Sequence, residues 1–87
     1  MAVFLIVSEK TNPTLGTRIA EVYPDDLYKV GEDQWLVASD KPSKDVAESL
    51  KIHEGEFGRV VVFKVDSYYG WHSKSLWEWL ALKSATK

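Results

Sequence analysis

Two apolar runs, Val3-Phe4-Leu5-Ile6-Val7 and Val60-Val61-Val62-Phe63 with Val65, stand near opposite ends of the chain, and the stretch between them alternates helical and extended patterns. Runs this short and this rich in β-branched side chains predict strands covered on both faces, or central strands of a small sheet. Met1 to Ser8 is read as the first strand. Asn12-Pro13 then marks a helix start, because Asn accepts from exposed first-turn amides and Pro at the first helical position gives up no needed donor. Leu15, Ile19 and Val22 follow at helical spacing, and Pro24 stops the helix. Gly16 within it costs about 1 kcal/mol relative to Ala, which points to close backbone packing or to a weak first turn.

Leu27 to Val30 and the more apolar Gln34 to Ser39 flank Gly31-Glu32-Asp33, a loop suited to a hairpin. Asp40-Lys41-Pro42 breaks the second arm, and Ser43 is the expected cap of a helix that buries Val46, Ala47, Leu50 and Ile52. Glu54 to Gly58 connects to a last strand over Arg59 to Asp66. Beyond it, Ser75-Leu76-Trp77-Glu78 matches a capping box and predicts a terminal helix with Leu76, Trp77, Leu80 and Ala81 along one side. Trp79 and Leu82 lie elsewhere on that helix. Two apolar faces imply that it packs on its own sheet and also meets a second subunit.

The 87 residues are read as one domain, a core over 1–66 and an aromatic extension over 67–87. At this size folding buries only about 60 to 65% of the unfolded chain's surface, so every large apolar side chain matters. The absence of cysteine excludes disulfides, thiolate metal sites and cysteine nucleophiles. The opening apolar run has no basic segment before it and is too short for a signal core or a membrane span, so the expected location is cytoplasmic, with no membrane partner. Eleven Lys/Arg against thirteen Asp/Glu, a net charge of −2, lack the broad positive field of non-specific nucleic-acid binders. The acidic stretch from Glu21 to Asp33 reads as a solvated helix end and hairpin.

A strand-helix-strand-strand-helix-strand order predicts an α+β fold, a ferredoxin-like βαββαβ sandwich with an additional C-terminal helix. Val3 to Val7 with the acidic Glu9, the arm Gln34-Trp35-Leu36-Val37, the helix Ser43 to Leu50 and the strand Arg59 to Val65 together resemble bacterial proteins of the SinR family. Those proteins are similar to the VapD toxins and to the small nuclease-fold subunit of the CRISPR spacer-integration complex. The resemblance spans most of residues 1 to 66. It implies a homodimer that brings two first strands near one another, with an acidic residue at the end of each, usually Asp, holding a divalent ion for phosphodiester cleavage. Glu9 falls nearest to that position and departs from the pattern by one methylene, against the near-octahedral geometry at about 2.0 to 2.1 Å that Mg²⁺ demands.

His53 and His72 have no His, Cys or carboxylate partner at zinc-ligand spacing, and neither a phosphate loop nor a triad motif is present. Four Trp and four Tyr exceed what a minimal core needs, and such rings are enriched at protein interfaces. The leading expectation is a homodimeric binding protein without catalytic machinery or cofactor, with Trp71, Trp77, Trp79 and Leu80 at the subunit contact. A metal-dependent endoribonuclease is the first alternative, with Glu9 as catalytic residue and Glu9 and Asp66 holding Mg²⁺ or Mn²⁺. The second is a domain that binds single-stranded RNA or DNA, stacking bases on Tyr68, Tyr69 and Trp71 beside Lys74 at about 1 to 3 kcal/mol per base.

Overall fold

The computed structural model describes residues 2–84, which form an α+β fold of one four-stranded antiparallel sheet and three α-helices. The strands are β1 (Ala2–Ser8), β2 (Leu27–Gly31), β3 (Gln34–Ser39) and β4 (Val60–Val65). The helices are α1 (Pro13–Val22), α2 (Ser43–Ser49) and α3 (Lys74–Ser84), with a single 3-10 turn at Ile52–Glu54. The sheet order is β2-β3-β1-β4, so the first and last strands are antiparallel neighbours, with Ser8 opposite Val60 and Val3 opposite Val65. No helix among the described residues is long and apolar enough to cross a membrane.

Side chains alternate across a strand, and each face of the sheet has its own cover. Phe4, Ile6, Trp35 and Val37 point to one side, where Leu15 and Ile19 of α1 and Val46 and Leu50 of α2 close the main core. Val3 and Leu36 point to the other side, where α3 lays Leu76 and Leu80. The result is three layers, with the sheet between α1 and α2 on one side and α3 on the other.

The α1 start follows the expected chemistry: Asn12 Oδ1 accepts from the Leu15 amide at 3.4 Å, and Asn12 Nδ2 donates to the Phe57 carbonyl at 2.8 Å, tying the helix start to the loop before β4. Gly16 brings the α1 backbone against the Trp35 indole, where an added Cβ would stand 3.4 Å from Cζ2. Two other helix starts differ from expectation. Pro42, not Ser43, occupies the cap of α2, and Ser43 is already helical, because the fixed φ of Pro suits a helix entrance. The terminal helix begins at Lys74, directly after Ser73, and the Leu76 amide donates to the Ser73 carbonyl at 3.1 Å. Ser75 is therefore inside the helix and forms no capping box with Glu78.

The two apolar runs also have different fates. β1 lies between β3 and β4 and is covered on both sides, whereas β4 is an edge strand on which Val61 and Phe63 remain 50% and 52% exposed. Only Val60 and Val62, on the α1/α2 side, pack against the main core. The expectation of a fully covered last strand is thus corrected: α3 contacts β1 and β2, and its width leaves the β4 border of that face open.

Candidate functional site

The chain from Asp66 to Ser73 leaves β4, crosses the α3 side of the sheet and enters α3. Between that segment, α3 and the sheet lies a cleft of about 510 Å³. Its floor is Leu5, Leu36, Phe63 and Val65, its wall is Leu76, Trp77 and Leu80, and its rim is Tyr68 to His72. Apolar atoms dominate this lining, with Lys64, Asp66 and His72 supplying charge and polarity at the margin. The volume falls within the range of about 300 to 1,000 Å³ typical of ligand sites.

The rim aromatics are placed unequally. Tyr69 and Trp71 are fully exposed, Trp71 at 96%. Between them Gly70 adopts φ 154°, a conformation that side chains rarely tolerate. Tyr68 stacks on Trp77, with ring centroids 6.1 Å apart and planes inclined by 23°, so one face of each ring is already covered. Trp79 packs at 6.0 Å against Tyr28 of β2. Leu80 is only 3% exposed and belongs to the core between α3 and the sheet. Of the residues expected at a subunit contact, Leu80 thus has little surface left outside its own chain.

A hydroxyl cluster fixes the start of α3 to β2. The Tyr28 hydroxyl lies 2.7 Å from Ser75 Oγ and 3.3 Å from Ser73 Oγ, the two serine oxygens are 3.2 Å apart, and His72 Nδ1 is 3.1 Å from Ser73 Oγ. The Ser73 hydrogen bond, then that of Ser75, lowers the Tyr28 pKa from its ordinary value, against a small opposing effect of burial. Hydrogen bonds to the phenolate favour it. At its far end α3 is held by Lys83, whose Nζ contacts Asp26 Oδ1 at 2.7 Å and the Asp25 carbonyl at 3.3 Å.

The acidic residues expected at a metal do not converge. Glu9 lies past the end of β1 beside the start of β4, where its Oε2 meets Arg59 Nη1 at 3.4 Å in solvent. Asp66 follows the other end of β4, and the register from Ser8/Val60 to Val3/Val65 puts about 20 Å of strand between them. Within one chain Glu9 and Asp66 therefore stand too far apart to share an ion. Among the described residues no group of three or more His, Asp or Glu is arranged to hold a metal. His53 is exposed on the 3-10 turn, and Lys74 is exposed at the first position of α3.

The structure brings Tyr68, Trp71 and Trp77 together around one cleft and adds Leu5, Phe63 and Val65 from the sheet. The apolar run containing Phe63 predicts a covered or central strand. In a continuous apolar run no polar residue marks which side chains face an uncovered border, so the signal was absent. The chain matches no protein-family model, no curated protein and no solved structure.

Proposed function

We propose that this protein is a binding module and that the cleft beside α3 receives an apolar, aromatic-bearing segment of a protein partner. The observation that carries this reading is the pair of fully exposed rings, Tyr69 and Trp71, at the rim of a cleft floored by aliphatic side chains. Rigid aromatic surface at low entropic cost is what protein interfaces concentrate. A nucleic-acid strand is less well matched, since the backbone of such a ligand calls for clustered cations. Here Lys64 is accompanied by Asp66 at the cleft margin.

The strand order β2-β3-β1-β4, antiparallel throughout, with α1 after β1 and α2 after β3, supports a ferredoxin-like βαββαβ arrangement as the scaffold of this module. Selection from a displayed random-peptide library tests the function. Enrichment of peptides with aromatic and aliphatic anchors, lost in a Trp71→Ala, Phe63→Ser double variant that still folds, is the expected result. Peptides that bind this variant as well as the wild type, or tighter binding of single-stranded RNA than of any peptide, would overturn it.

A further inference from the structure

The two borders of the sheet are finished differently. β2 ends in an irregularity between Lys29 and Gly31 where its register with β3 shifts, and bulges of this kind blunt an edge against further pairing. β4 has a regular register with β1 over its whole length, contains no proline, and has no strand outside it among the described residues. Its main-chain polarity can be read from one bond. The Glu9 amide donates to the Arg59 carbonyl at 3.0 Å, which makes Glu9 and Arg59 a hydrogen-bonded rung of the β1/β4 ladder. Rungs of an antiparallel pair alternate, so Val61, Phe63 and Val65 also turn their amides and carbonyls toward β1. Val60, Val62 and Lys64 turn theirs outward.

We propose that this outward edge pairs with the same edge of a second copy, antiparallel about a two-fold axis at Val62, joining two four-stranded sheets into one. Three features select a second copy over a foreign strand. In a two-fold pair the residues that meet across the new rungs are Val60, Val62 and Lys64 of both chains, all of which present unused groups. Arg59 and Asp66 stand at opposite ends of β4, so antiparallel self-pairing brings Arg59 of each copy, which also meets its own Glu9 at 3.4 Å, toward Asp66 of the other. Finally, Val61 and Phe63, half-exposed on the α3 side, gain their own counterparts as neighbours, and the two aromatic clefts open onto a shared apolar floor. The same geometry places the two Glu9 residues at opposite ends of the joined strands, so this dimer does not assemble a shared carboxylate site. It holds whatever the cleft binds.

Sedimentation equilibrium of the full chain, together with amide exchange, tests the pairing. The expected species has twice the 9.9 kDa chain mass, and the amides of Val62 and Lys64 exchange more slowly as protein concentration rises. Lys64→Pro removes an outward amide that makes no bond within the chain, and is expected to weaken self-association by roughly tenfold or more, while Lys64→Ala retains it. A monomer at every concentration would overturn the proposal, as would a folded Lys64→Pro dimer of undiminished affinity. So would Val62 and Lys64 amides that exchange equally fast in dimer and monomer, a readout on the wild-type chain that stands even if the proline variant fails to fold.

Discussion

Lys83 Nζ lies 2.7 Å from Asp26 Oδ1, joining the last turn of α3 to the residue just before β2, with only 18% and 29% of the two side chains exposed. Shielding from solvent makes this contact worth more than a surface ion pair, whose contribution is about 0 to 1 kcal/mol. The Asp25 carbonyl shares the same ammonium. Replacing Lys83 by Met keeps the apolar stem and removes the charge. The expected loss is about 1 to 2 kcal/mol, confined to α3, so hydrogen exchange should quicken over residues 74–84 and stay unchanged in α1. An equal effect in both helices would show that α3 does not open independently.

Gly16 and Trp35 offer a packing test. A methyl at Gly16 would stand at van der Waals distance from the indole, 3.4 Å from Cζ2 and 3.5 Å from Nε1, so Gly16→Ala fits while gaining helix propensity of up to about 1 kcal/mol. Gly16→Val adds branches that have no room over the ring, and is expected to destabilise by about 1 to 3 kcal/mol. Urea unfolding of the two variants measures both. A valine variant as stable as the alanine one would mean that α1 does not rest on Trp35.

The Tyr28 phenol is the titrating group with a defined structural cause, hydrogen bonds from Ser73 and then Ser75. Its folded pKa lies below the ordinary 10.0. Above the folded value the unfolded chain holds the extra proton, so stability from this group grows as pH rises toward 10 and persists above it; it is lost as pH falls through the folded value. Phenolate absorbance should show Tyr28 ionising below its ordinary 10.0, and Ser73→Ala with Ser75→Ala should move that ionisation back up. An early tyrosine that survives Tyr28→Phe would assign the shift to another ring.

Much of the scaffold was legible because each signal had a local cause. Asn12-Pro13 opens α1 through a side-chain acceptor and a missing donor, and the Gly31-Glu32-Asp33 turn separates the two hairpin arms with bounds that differ by a single residue. Ser43 and Ser75 misled because several residues near each helix start satisfy the same local rule, and Pro42 and the Ser73 region were the ones used. Which face α3 would cover, and how far across, is set by packing between segments more than 40 residues apart, such as Tyr28 with Ser73 and Ser75. No local pattern encodes that distance. The cleft itself is therefore not legible in the sequence: the aromatic density marks Tyr68, Trp71 and Trp77 as surface for a contact, while Phe63 is hidden inside an apolar run.

The three-layer arrangement also bears on the order of assembly. α3 rests on Val3 and Leu36, with Leu5, Tyr28, Val30 and Val65 around it, so its landing ground draws on all four strands and is incomplete until β1 and β4, distant in sequence, have met. Closing so long a loop is slow, and contacts that depend on it form late. The terminal helix is accordingly expected to dock after the sheet has closed. A nascent chain would complete its sheet first and acquire its aromatic cleft only at the final step.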